Sequence, residues 1–246
     1  MVRAVSVLQL VALVLALQPP VFGADGPAVP QAGWQCSLGL SYMATAGNTS
    51  TTTGGLTFDG TRTGKDWKSI ARFDALRERR NGHLNAERFD VRTQLTHIGI
   101  RRWGLSFGEE FHRDRFAGIN LRSVFNLGAG ATYTLGGRTL LDVNVGGTWT
   151  YSDLMNDTAR NTIGGLAAGR LTWKISPTAT LKQDLELYPS FTNGNDYRMV
   201  AITSLEATIN TTLALRLSYL MRYDNMPAPG KVPTDTTATT SLVIHF

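Results

Sequence analysis

The chain has 246 residues, a formal net charge of +5, 17% charged residues, 25 glycines and a single cysteine, Cys36. One cysteine rules out an intramolecular disulfide and any cysteine-built metal site, and the length suits one large domain or two small ones. The Lys and Arg residues are scattered at strand-like spacing without a basic tract, which argues against a nucleic-acid partner.

The N-terminal stretch "MVRAVSVLQLVALVLALQPPVFGADG" carries a positive start at Arg3. An apolar run from Ala4 to Leu17 follows, broken only by Ser6 and Gln9, then Pro19-Pro20 and small residues around Gly23 and Ala24. These three parts read as a secretory signal peptide. The run of 14 residues is too short to span a bilayer as a helix, which takes about 20. The expected organisation is a signal peptide over 1–23 with cleavage near 23/24, a short linker over 24–32, and one domain over 33–246. In "GWQC", bulky Trp34 and Gln35 precede Cys36, which argues against a lipoprotein cysteine.

Beyond the linker, helical periodicity gives way to alternation of period two. In "INLRSVFNLGAGATYT", Ile119, Leu121, Phe125, Leu127, Ala129, Ala131 and Tyr133 share one face, and Asn120, Arg122, Asn126 and Thr132 share the other. The stretches "LDVNVGGTWTY" and "LALRLSYLMRY" repeat the pattern. Twelve segments alternate in this way, at roughly 33–45, 51–62, 66–78, 84–96, 102–113, 117–134, 139–151, 162–174, 179–191, 197–209, 212–223 and 236–246. Most exceed the ~5–6 residues common in soluble sheets and reach the ~9–11 that a tilted strand needs to cross a membrane.

The connections also alternate. "TGK", "LGGR", "SPT" and "NTT" are tight, whereas "RRNGH", "HRDRF", "SDLMNDTARNT", "TNGND" and "DNMPAPGKVPTDT" are longer and polar; the first hairpin, "AGNTS", is short and breaks the trend. Short turns at one end and long loops at the other predict an all-β, single transmembrane antiparallel up-and-down β-barrel of about 12 strands, with both termini at the short-turn, periplasmic end. Trp34, Trp67, Trp103, Trp149 and Trp173 fall near strand ends on the apolar face, where aromatic girdles sit. The last loop carries Pro227, Pro229 and Pro233 and reads as a surface loop rather than a cap over the mouth.

The chain ends in "SLVIHF". Leu242, Ile244 and Phe246 share the lipid-facing side of the closing strand and are expected to act as the C-terminal signal read by the outer-membrane assembly machinery. The expected partners are therefore outer-membrane lipid and that machinery, in the cell outer membrane of a Gram-negative bacterium after Sec-type export.

Three pieces, "GNTSTTTGGLTFDGTRT", "LKQDLELYPSF" and "YDNMPAPGKVPTDTTATTSLVIHF", resemble the bacterial outer-membrane family called domain of unknown function 481, often labelled salt-induced outer membrane proteins. Together with the rhythm between them they cover roughly residues 35–246. Ile244 and His245 depart from the Tyr-Arg of the pattern. The resemblance implies compartment and barrel fold. It carries no catalytic residues.

Chemistry is sparse. His83 falls in an expected loop, His97 at a short turn, and His112 and His245 on inward faces near strand ends. None has ligand spacing for a metal, no serine sits in a nucleophile motif, and nothing calls for a cofactor, so the chain does not read as an enzyme. The expected lumen is richer. Its basic positions are Lys68, Arg72, Arg88, Arg92, Arg122, Arg170, Lys174, Lys182, Arg198, Arg216 and Arg222. Its acidic positions are Asp59, Asp74, Asp90, Glu110, Asp142, Asp184, Glu186 and Glu206. Two readings stand. A basic excess suits a pore for anionic small solutes. Near-matched signs suit an interior closed by ion pairs, with partners two apart on one strand: Arg72 with Asp74, Asp90 with Arg88 and Arg92, and Lys182 with Asp184. A structural or envelope-stress membrane protein with a narrow channel is the leading expectation. A porin for anionic solutes comes second, and an outer-membrane lipid-modifying enzyme third.

Overall fold

The computed structural model describes residues 33–45, 50–98, 103–155 and 157–246. The expected signal peptide and linker lie outside the described residues, as does the tip of the first hairpin. Twelve strands follow in order: β1 (Trp34–Thr45), β2 (Thr51–Thr63), β3 (Trp67–Arg80), β4 (His83–His97), β5 (Trp103–Asp114), β6 (Ile119–Leu135), β7 (Thr139–Leu154), β8 (Arg160–Ser176), β9 (Ala179–Pro189), β10 (Tyr197–Thr208), β11 (Leu213–Asp224) and β12 (Thr234–His245). Each pairs antiparallel with its sequence neighbours. β1 pairs with β12, with Leu38 opposite Ile244 and Leu40 opposite Leu242, so the sheet closes on itself. Closure leaves no strand edge with unpaired backbone groups, which hydrocarbon would punish.

The polarity of the two faces is inverted relative to a soluble barrel. Ser106, Asn144, Thr148, Thr150, Glu206, Arg216 and Ser241 are buried, while Leu105, Leu127 and Ile163 are about 60% exposed. Burying hydroxyls and charges while exposing Leu and Ile is unfavourable in water. It becomes favourable when the outside is lipid and the inside is polar, so the fold is a transmembrane barrel. Trp34, Trp67, Trp103 and Trp173 sit at the end where β1 begins and β12 finishes. At the other end Trp149 stacks on Phe125, with ring centroids 5.6 Å apart, and Tyr197 meets Tyr223 at the same separation.

Two loop expectations need correction. "RRNGH" is not a long loop: Asn81 (φ 49°) and Gly82 (φ 79°) form a two-residue turn, and His83 begins β4. Paired positive φ values match the strand twist in tight hairpins. The loops after β5 and β7 are also shorter than expected, at 115–118 and 155–159, whereas the one after β9 is longer, at 190–196, because β9 ends at Pro189. Strands of up to 17 residues exceed what a membrane requires, so their polar ends continue the ladder beyond the lipid and look like loop in composition. Near those ends the ladder shifts register, between Glu78 and Arg79, His112 and Asp114, and Ile119 and Leu121. The last shift turns Ile119 away from the outward face that alternation gave it.

The 225–233 segment is exposed over 229–233, as a surface loop should be, but it is anchored at Ala228. Ala228 is 4% exposed and packs in one cluster with Ile119 and Leu154. β11 and β12 lie far around the ring from β6 and β7, so the segment crosses the mouth. Gly118 makes the seat possible: its φ is +77°, and a Cβ there would come within 2.7 Å of the Ala228 Cβ. On the other side, Asn225 Nδ2 donates to Asn195 O (2.7 Å) and its backbone N donates to Tyr197 O (3.0 Å).

Candidate functional site

The candidate site is the lumen. Alternation along each strand sends every second side chain inward, and the long basic ones meet acids on other walls. β3 and β9 face each other across the twelve-strand ring, so the 3.0 Å bond from Arg72 Nη1 to Asp184 Oδ2 must cross the interior. Asp184 also accepts from Arg170 Nε and Nη2, at 2.5 and 2.6 Å. Arg92 bridges Glu110, at 2.7 Å, and Glu186. The Tyr188 hydroxyl donates to the same two carboxylates, at 3.1 and 3.0 Å.

Similar links recur at several depths. Near the end where β1 begins, Lys68 Nζ donates to Asp142 (2.7 Å), which also accepts from Thr132. There too Arg216 bonds Glu206 (2.8 Å), Asp59 (3.0 Å) and Ser37 Oγ (3.3 Å). Toward the loop end, beneath the 225–233 segment, Arg222 meets Asp90 (2.8 Å), which also contacts His112 Nδ1 (2.6 Å) and Arg88 (3.4 Å). Arg88 reaches Thr237 on β12 (3.1 Å). Near the loop end, Arg122 donates to Asp224 (2.9 Å) and Ser152 Oγ (3.2 Å). Charge-assisted pairs of this kind are short and strong where bulk water is thin.

The partners differ from those that local spacing suggests. Arg72 binds Asp59 and Asp184 rather than Asp74, Arg92 binds glutamates rather than Asp90, and Asp184 binds arginines rather than Lys182. Of the pairs that spacing suggested, Arg88 with Asp90 is the one that forms among the described residues. Side chains two apart on a strand leave the backbone in parallel, ~6.6–6.8 Å apart, whereas arginines from a facing wall meet carboxylates head-on. Lys174 is exposed and Arg198 half-buried, and neither has a carboxylate within ion-pair distance among the described residues.

The remaining space is divided. One cavity of about 80 Å³ lies among Lys68, Arg72, Asp142 and Arg170, and one of about 60 Å³ lies beneath the 225–233 segment, among His112, Arg222 and Pro227. A third, of only about 20 Å³, lies between β6 and β10 at the loop end. The remaining histidines are structural in setting: His97 packs edge-on against Trp67, at 4.9 Å, and His245 meets Glu206 at 3.1 Å. At the chain end, Leu242 and Phe246 are exposed outward, and Phe246 exchanges backbone bonds with Cys36.

One residue escaped the sequence reading. Glu109 shares the phase of lipid-facing Leu105 and Phe107 yet is 8% exposed, with Thr93 and Phe125 as its cross-strand partners. The break in the apolar alternation of β5 was its visible signal.

Among solved structures, an outer membrane channel from Pseudomonas putida F1 is similar, with a TM-score of 0.50 at 12% identity; the match covers 92% of this chain and 100% of that one. The NanC porin is similar at TM-score 0.45 and 12% identity, over 86% of this chain and 97% of that one. The translocator domain of the autotransporter NalP from Neisseria meningitidis is similar at TM-score 0.43 and 14% identity, over 97% and 93%. At such identities the likeness is one of fold. No curated protein sequence gives a significant match. The family model described as "Protein of unknown function, DUF481" matches residues 38–246, nearly the whole barrel, and the chain belongs to that family.

Proposed function

We propose that the protein is a bacterial outer-membrane barrel of structural or envelope-stress role, whose lumen at rest is narrowed by internal ion pairs to a passage for water and small ions at most. It is exported with its N-terminal signal peptide and assembled through the outward strand end at Leu242, Ile244 and Phe246. The observation that carries the reading is the set of links between non-adjacent walls, Arg72–Asp184, Arg92–Glu186, Arg122–Asp224, Arg216–Asp59 and Arg222–Asp90. Paired charges that must be broken before a solute passes make a closed ground state. No catalysis is assigned. The His112–Asp90 pair is completed by arginines, and a phospholipid-hydrolysis assay on the purified barrel is expected to be negative.

Planar-bilayer recording tests the reading. The intact protein should show no large steady conductance, and an open-porin current would refute it. A second reading, an anion-selective porin, is favoured by Arg198, Lys182 and Lys174, which have no carboxylate within ion-pair distance among the described residues. A reversal potential on the anion side under a salt gradient would support it.

A further inference from the structure

At the loop end, the outer wall is basic on one side of the ring. On the outward face of β3, apolar Phe73 and Ala75 give way to Arg77 and Arg79, and on β5 Phe111 gives way to Arg113, with Arg115 following in the turn. Phe89, the cross-strand partner of both Ala75 and Arg113, is 39% exposed between them. All four arginines are exposed. Arg79, Arg113 and Arg115 have no carboxylate within ion-pair distance among the described residues, and Arg77 has only a loose one, with its Nε 3.9 Å from Glu87 Oε1. The nearby acids are engaged: Glu78 accepts from Asn85 Nδ2 (2.6 Å), and Asp114 accepts from the backbone N of Phe116 and Ala117, at 3.0 and 2.9 Å. Glu109 shares the face of Arg113 but lies four residues away, about 13 Å along a strand. Farther around the ring, the outward positions at this end are Tyr151 and Asp153 on β7, Tyr197 on β10, Tyr223 on β11 and Thr234 on β12, with no lysine or arginine among them.

We infer that this sector of the outer wall binds a phosphorylated glycolipid of the outer leaflet, its phosphates held by Arg77, Arg79 and Arg113 and its acyl chains lying on Phe73, Phe89 and Phe111. Depth along the strands sets these neighbours. Trp67 and Trp103 mark the opposite interface, and Arg77 and Arg113 each follow ten positions later, within the ~9–11 residues that carry a tilted strand across a membrane. The arginines therefore stand at headgroup level, with the phenylalanines beneath them at acyl-chain level. Arginine stems lie along apolar surface while the charged heads reach the boundary, and the planar fork matches two phosphate oxygens at once. β3 and β5 are two strand spacings apart, about 10 Å, so one disaccharide-sized headgroup reaches arginines on both. Long loops face the cell exterior, where the leaflet of a Gram-negative outer membrane is built of phosphorylated, multiply acylated glycolipid. Glu87 is the ligand's local competitor for Arg77. The site rests on the outer-membrane reading and does not depend on conduction through the lumen.

The probe is bisphosphorylated lipid A, titrated into the detergent-folded barrel and followed by native mass spectrometry, with lipid A stripped of its phosphates, phosphatidylglycerol and inorganic phosphate as comparisons. Lipid A should bind about tenfold or more tighter than its dephosphorylated form and tighter than phosphatidylglycerol, and inorganic phosphate should not displace it. Arg77→Gln combined with Arg113→Gln breaks only the 3.9 Å pair, so the barrel should still fold, as heat-modifiable gel mobility will show. Its affinity for lipid A should fall about tenfold or more, as expected for two arginines at an anionic headgroup. Lys65→Gln combined with Arg138→Gln removes the same charge from exposed positions at the opposite end and should bind lipid A as the parent does. Equal affinity for lipid A with and without phosphates, or for phosphatidylglycerol, would overturn the inference. So would displacement by inorganic phosphate, full affinity in the Arg77 and Arg113 variant, or an equal loss in the Lys65 and Arg138 variant. Density fractionation of cells reports the membrane and bilayer conductance reports the lumen, so failure of either reading is told apart from failure of this site.

Discussion

Asp184 ties three walls together, and its replacement by asparagine tests whether the ion-pair web closes the barrel. Its carboxylate accepts two bonds from Arg170 and one from Arg72. The three side chains are only 13–22% exposed. A hydrogen bond to a charged group contributes about 1.5–3 kcal/mol, and three sharing one acceptor do not add fully. Arg72 keeps Asp59 at 3.3 Å, whereas Arg170 is left with no carboxylate among the described residues. Asparagine has the same shape and retains one acceptor oxygen. We therefore expect Asp184→Asn to cost about 3 kcal/mol, within the range for orphaning one side of a buried pair. The assay is urea titration of the barrel in lipid vesicles, followed by tryptophan emission, since Trp67, Trp103, Trp149 and Trp173 all face outward. Arg170→Gln in the same background should recover at least about 1 kcal/mol relative to additivity, and Asp184→Asn alone should raise bilayer conductance. A variant within about 0.5 kcal/mol of the parent, additive with Arg170→Gln and electrically silent, would refute the argument.

Leu127, at the midpoint of β6 and 59% exposed, should tolerate arginine badly, by about 2–4 kcal/mol as at a lipid-facing midplane, whereas Asn126→Arg in the lumen should cost less; equal costs in the same titration would contradict the facing. Glu109→Leu should stabilise the barrel by about 1 kcal/mol, since a carboxylate on the lipid side costs more than an apolar side chain, and a loss of stability would point to an undetected polar partner. Gly118→Ala should cost about 1–2 kcal/mol for the left-handed backbone alone and unseat Ala228, read as faster proteolysis within 225–233. Deleting Phe246 removes at most about 1.5–3 kcal/mol of apolar burial, so refolding in detergent should stay near normal while the amount assembled in cells falls; unchanged assembly would remove the signal role proposed for that end.

Local pattern was enough to specify the barrel. Period-two alternation is a property of each strand alone, because successive side chains leave a pleated backbone on opposite sides, so twelve strands and their antiparallel closure were legible without contacts. The same rule set Leu127 apart from Asn126. It failed where backbone departs from the ideal ladder: the register shift at Ile119 and Leu121 turned an apolar residue inward, and Asn81-Gly82 compressed a polar stretch into a two-residue turn. Partners were beyond its reach. Arg72 and Asp184 are 112 residues apart in the chain, Arg216 and Asp59 157, and nothing local to either residue says which wall it faces. That depends on the shear and closure of the whole ring. The seat of Ala228 across the mouth and the stack of Arg198 on Tyr188 belong to the same class. Each is set by how elements distant in sequence meet, which only the tertiary structure decides.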